Sequence, residues 1–173
     1  MTWTAPPVAR DRAPYVADER ETLEGWLDFH RQTLLSKCAG LTEEQLKEAA
    51  APPSSMTLLG LVRHMADVER AWFRRRVAGE DLPFLYVTDD DEDADFNQAG
   101  GADAEEDLKV YAREVEAARE AAARHDLDET FFHQHQKIDI SVRWAYTHMV
   151  EEYARHNGHA DLLRERIDGS TGE

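Results

Sequence analysis

Ser141-Val142-Arg143-Trp144-Ala145-Tyr146-Thr147-His148-Met149-Val150-Glu151-Glu152-Tyr153-Ala154-Arg155-His156-Asn157-Gly158-His159 opens a helical pattern that runs to Ile167 and stops at Gly169, a residue suited to capping a helix C-terminus. His148, Glu152 and His156 are four residues apart, so they lie along one face about one turn from each other. His159 follows three residues later on roughly the same side. Three more long patterns precede this one. Leu23, Trp26, Leu27, His30, Leu34 and Leu35 form an amphipathic stripe over Glu19–Cys38. Leu58, Leu61, Val62, Met65, Val68, Trp72 and Phe73 predict a second helix from Thr57 to Gly79. An Ala- and Glu-rich third runs from Ala104 to Arg124.

The connections differ in kind. Residues 1–17, with Pro6, Pro7 and Pro14, read as an irregular lead-in to a single domain over 18–173. Thr42 and Gln45 have capping-box spacing before a short helix, and Pro52, Pro53, Ser54 and Ser55 break the chain after it. Glu80–Gly101 reads as a loop whose middle, Asp89–Asp95, is strongly acidic. Asp126–Asp139 reads as irregular, with a short extended piece at Phe131–His135. Four long helices with uneven connections and no βαβ alternation predict an all-α chain folded as a four-helix bundle.

Composition narrows the function classes. The chain has 173 residues, enough to bury a core, and a formal charge of −16. So acidic a surface repels phosphate backbones, which excludes nucleic acid and anionic membranes as expected partners. No apolar run is long enough to span a bilayer, and the N-terminus lacks the apolar core of a secretory signal; the expected location is cytoplasmic. Cys38 is the single cysteine, so an internal disulfide is impossible. At the end of a helical pattern it reads as a packing residue.

Bundles build metal sites from side chains that point inward from facing helices. His64, flanked by Leu61, Met65 and Val68, lies on the apolar face of the second helix. His64, Glu152 and His156 would supply two imidazoles and a carboxylate, a set suited to a divalent transition metal. Three protein donors leave coordination positions for water or substrate. The spacing alone also fits histidines satisfied within a core and a Glu152 paired with Arg155 or His156.

Pro53-Ser54-Ser55-Met56-Thr57-Leu58-Leu59-Gly60-Leu61-Val62-Arg63-His64-Met65-Ala66-Asp67-Val68-Glu69-Arg70-Ala71-Trp72-Phe73 resembles the second-helix segment of the DinB superfamily, in the actinobacterial branch long catalogued as a domain of unknown function. Trp26-Leu27-Asp28-Phe29-His30-Arg31 and the stretch His148–Asp161 resemble the same branch, and the likeness runs from about residue 18 to 169. The resemblance implies a four-helix bundle of DinB-like type, often dimeric. It also implies a metal held by a histidine of the second helix and by a pair four residues apart in the last. His64 matches the first ligand. His156-Asn157-Gly158-His159 aligns with the family's His-Arg-Gly-Gln, so Glu152 and His156 match the pair. Many members have histidine where Glu152 stands, and relatives of the mycothiol-dependent maleylpyruvate isomerase have glutamate. His148 and His159 then flank the metal, His148 also being placed to serve as an extra ligand.

The superfamily includes mycothiol and bacillithiol S-transferases. The resemblance therefore implies a thiol S-transferase acting on small electrophiles, with a divalent metal (zinc first, nickel or iron as alternatives) and mycothiol as co-substrate. A metal-dependent hydrolase or isomerase using metal-bound water and a non-enzymatic, stress-related metal-binding protein are the alternatives. Trp3, Trp26 and Trp144 are candidates for apolar surface at a homodimer contact. Phe131 and Phe132, with His133 and His135, are candidates for a pocket wall, and the acidic run Asp89–Asp95 for its rim.

Overall fold

Each long helix begins where a side chain satisfies its free N–H groups. In the computed structural model, which describes residues 2–172, Asp18 accepts from Glu21 N at 2.9 Å and starts α1, Glu19–Cys38. The Thr42–Gln45 capping box starts the single turn α2, Glu43–Leu46. The Thr57 hydroxyl accepts from Gly60 N and starts α3, Leu58–Glu69. A four-residue turn, α4, spans Ala94–Asn97, and Asp103 then caps α5, Ala104–Ala122. Two antiparallel strands, β1 (Thr130–His133) and β2 (Ile138–Ser141), pair with Phe131 opposite Ile140. Ser141 caps α6, Val142–Asp168, which ends at Gly169 with φ 79°, the left-handed conformation a C-terminal glycine adopts without strain.

The chain is mostly helical, as expected of an all-α sequence. α1 packs on α6 and α3 on α5, and α3 also meets α1 and α6. Leu27 and Leu34 of α1, Leu61 and Met65 of α3, Tyr111 of α5 and Met149 and Tyr153 of α6 share one buried core. A charge pair lies inside it. Arg31 Nε and Nη2 donate to the two oxygens of Glu69, each at 2.7 Å. Tyr153 donates to Glu69 Oε1 at 2.7 Å and contacts the Tyr111 hydroxyl at 2.8 Å. Buried charge is tolerated only when matched in this way.

Three segments differ from the sequence reading. The second helix does not continue as an α-helix to Gly79: over Arg70–Val77 it widens into π-helical turns before Gly79, at φ 68°, ends it. The segment 80–101 is not simply a loop, since it contains α4 and a 3₁₀ turn at Ala99–Gly101. The segment 126–139 carries a paired strand, not an isolated extended piece. The lead-in is irregular but tied down, with Ala5 N donating to Leu41 O and Gly40 N to Ala5 O. Among the described residues no helix is long and apolar enough to cross a membrane.

Candidate metal centre

His64 on α3 and Glu152 and His156 on α6 meet where the two helices face each other. Each offers a donor atom, and the three atoms lie within 4.8 Å of one another. The histidine rings are 4.8 Å apart, centre to centre. Glu152 Oε2 is 3.4 Å from His156 Nε2. A tetrahedral ion with bonds of about 2.1 Å has donor–donor edges of about 3.4 Å. The spacing and donor types are thus compatible with a divalent metal.

Asp95, which the sequence singles out only as part of the acidic run expected at the pocket rim, completes this arrangement. It is 2% exposed, and its Oδ2 lies 2.7 Å from His64 Nδ1. A carboxylate only accepts, so Nδ1 carries the proton and Nε2 keeps its lone pair for a ligand role. Phe96 N donates to Asp95 Oδ1 at 2.9 Å, and Phe96 stacks on His64 with ring centres 5.1 Å apart. Arg63, next to His64, grips the same turn through the Asp95 carbonyl at 2.8 Å and reaches Asp107 of α5 at 2.9 Å. The one signal for Asp95 in the sequence is its neighbour Phe96, an apolar residue that closes the acidic run.

The electrostatics fit a cation. The hydrogen bond from His156 pulls the Glu152 carboxyl below its ordinary range, helped by the nearby imidazoles and opposed by burial. The Nδ1 atoms of His156 and His159 are buried with no partner among the described residues. Burial lowers the pKa of His148, against the pull of Glu152 and Glu151, and lowers that of His159. His148 Nε2 is 3.4 Å from Glu152 Oε1, and its ring stacks on Trp144 at 5.0 Å and meets Trp72 edge-on at 4.5 Å. His148, Glu151 and Glu152 make a second set of donors within 4.8 Å of one another. His159 lies behind His156, ring centres 5.4 Å apart.

The pocket candidates separate. Adjacent strand residues face opposite ways. Phe131 packs against the core, whereas Phe132 is exposed and lines a cavity of 410 Å³ with His133 and His135. The acidic run does border the site: Glu92, Asp93 and Asp95 line a 220 Å³ cavity that includes His64 and Trp72. Cys38 lies elsewhere, buried, its thiol pushed by burial up to about 12.

Fold and site thus define a helical protein in which three donors from two facing helices converge, backed by a buried carboxylate. The chain matches the Mycothiol-S-transferase family over residues 22–169 and belongs to that DinB-like family. No curated protein matches it.

Proposed function

We propose that this protein is a metal-dependent thiol S-transferase that joins mycothiol to small electrophiles, on a four-helix bundle of DinB type. The convergence of His64, Glu152 and His156, with Asp95 on the far side of His64, carries the reading. Two imidazoles and one carboxylate favour zinc, with nickel or iron as alternatives. A bound divalent ion would lower the pKa of a thiol beside it and so supply a thiolate at neutral pH.

The protein's own residues then have defined tasks. Asp95 fixes the tautomer of His64 and the direction of its ring. Glu152 supplies negative charge that offsets the ion. Trp72 and Trp144 flank His148 and hold its ring beside Glu152. A thiolate attacking an electrophilic carbon forms the C–S bond while the leaving group departs, and the thiol proton passes to solvent. Cys38 cannot provide this sulfur, because it is buried and neutral. The nucleophile must come from a second substrate.

The assignment is tested by elemental analysis of purified protein together with mycothiol-dependent consumption of 1-chloro-2,4-dinitrobenzene. Stoichiometric metal and thiol-dependent turnover are expected, and His64→Ala and His156→Ala should lose both. Full metal content in both variants would sink the ligand assignment. Metal without thiol-dependent turnover would point to one of the other two readings. The proposal further takes the protein to be a cytoplasmic homodimer. Trp26 and Trp144 are 47% and 45% exposed, whereas Trp3 packs partly against the core. Light scattering at micromolar concentration should give twice the 19.8 kDa chain mass.

A further inference from the structure

Acidic side chains outnumber basic ones in this protein by 36 to 20, so a guanidinium readily finds a carboxylate. On the π-helical stretch, Arg70 and Arg74 both bind Glu114, and Arg74 also binds Glu80. Arg75 and Arg76 are different. Among the described residues neither side chain forms an ion pair or donates a hydrogen bond. Each lies over an aromatic ring instead: Arg75 Cζ is 4.1 Å from the centre of Phe84, and Arg76 Cζ 4.5 Å from that of Trp72. Their N–H groups are not sealed in the interior but open into the cavities beside them.

One of those cavities reaches His64 of the candidate metal centre, and the other opens beside it. The outer one, 410 Å³, holds Arg75 and Arg76 together with Phe132 and His133. The inner one, 220 Å³, holds His64 and Trp72. Ala71, Arg76 and Phe84 line both, so Arg76 stands at their junction. Burial, and then the charge of Arg75, lower the pKa of Arg76; an anion at the junction would relieve both penalties. Of the carboxylates near this space, Glu80 is held by Arg74, Asp67 by three backbone N–H groups and Asp95 faces His64. Asp81, Glu92 and Asp93 are exposed at the rim, where solvent screens them.

We propose that Arg75 and Arg76 bind a carboxylate carried by the small electrophilic substrate. The carboxylate lies at the junction of the two cavities, the substrate's apolar body rests against Trp72 and Phe84, and its reactive end points inward toward His64. This rests on the transferase reading above for the word substrate, but the anion site itself does not depend on that chemistry. Guanidinium groups suit the task because their N–H donors match carboxylate geometry and are always charged. Two of them placed side by side, unpaired, in so acidic a protein amount to a receptor for a negative group.

The test uses 4-fluorobenzoate and its neutral analogue 4-fluorobenzamide, followed by fluorine NMR against the whole protein. Saturable binding of the benzoate is expected, weakened about tenfold in Arg76→Gln and in Arg75→Gln, while the amide binds more weakly and is indifferent to both changes. Arg76→Lys should retain part of the affinity. Thermal melts establish that each variant is folded, and Arg75→Gln keeps the test decisive if Arg76→Gln is not. Unchanged benzoate binding in both Gln variants would overturn the proposal, as would equal binding of the amide by the wild type. Inorganic phosphate displacing the benzoate at lower concentration than unlabelled benzoate does would overturn the carboxylate assignment. His64→Ala separates the two readings: benzoate binding that survives there locates the anion on the arginines, and its loss would place the anion on the metal instead. If mycothiol transfer fails in the wild type while benzoate binding and its arginine dependence persist, the transferase reading falls and the anion site stands.

Discussion

In the proposed site, Asp95 sets how well His64 serves as a ligand. An imidazole alone chooses between tautomers and rotates; one whose Nδ1 is held at 2.7 Å by a buried carboxylate does neither. Asp95→Asn keeps the shape but offers an amide that can turn its NH₂ to the ring, favouring the tautomer with its lone pair on Nδ1. The expected outcome is a metal affinity about 10–100-fold lower with little change in thermal stability, measured by competition with a zinc-responsive chelator. Unaltered affinity would mean that Asp95 only packs α4 in place. That His64, Glu152 and His156 come together was legible in the sequence in part: helical spacing puts the last two on one face and an apolar flank turns His64 inward, but the resemblance to the family singled out these three as candidate ligands. Asp95 was not, since Asp89, Asp90, Asp91, Glu92 and Asp93 precede it and its one local mark, the apolar neighbour Phe96, does not by itself separate a buried carboxylate from solvated ones. What distinguishes it is the approach of a separate helix, which no local period encodes.

That approach depends on Gly60. A Cβ there would stand 2.8 Å from Phe96 Cδ1 and 3.1 Å from the Thr57 hydroxyl that caps α3. The missing side chain lets α4 lie against the first turn of α3, and α4 carries both Asp95 and Phe96 to His64. Helix propensity alone favours alanine over glycine by about 1 kcal/mol. Gly60→Ala should nevertheless displace Phe96 and loosen the Asp95–His64 contact. The expected result is weaker metal binding by roughly tenfold with a modest change in melting temperature of either sign, because propensity and crowding oppose each other. Metal affinity equal to wild type would show that Phe96 moves without taking Asp95 with it. The long helices were readable from their caps and apolar periods, and their ends agree with the structure to within a few residues. The hairpin and α4 were not. Each hairpin strand and α4 has only four residues, too few to show a period, and their placement is fixed by contacts with α3 and its π-helical extension. The π turns were hidden as well, because a widened turn leaves composition unchanged while rotating Arg75 and Arg76 away from the positions an α-helical wheel assigns.

Across the whole molecule, two electrostatic effects oppose each other as pH changes. The charge of −16 makes surface carboxylates repel one another at pH 7, and protonating some of them on the way toward the isoelectric point near 4.8 relieves this. Buried, paired carboxylates act the other way. Glu114 on α5 is pushed up by burial, but hydrogen bonds from Arg70 and Arg74 outweigh that and hold its pKa below the ordinary value. A carboxylate depressed in the folded state contributes stability above its unfolded pKa of about 4.3 and loses it as pH falls through the folded value. The wild type should therefore become somewhat more stable from pH 7 toward pH 5, then less stable below about pH 4. Glu114→Gln removes the charge that joins α5 to the π-helical stretch through Arg70 and Arg74, at 2.6 and 3.0 Å. It should cost about 2 kcal/mol at pH 7. The gap between variant and wild type should narrow as pH drops below 4, where the wild-type carboxyl also gains a proton. Urea titrations at pH 7, 5 and 3.5 read both effects. A gap that stays constant across the three would show that Glu114 stabilises the protein through shape and neutral hydrogen bonds, not through its charge.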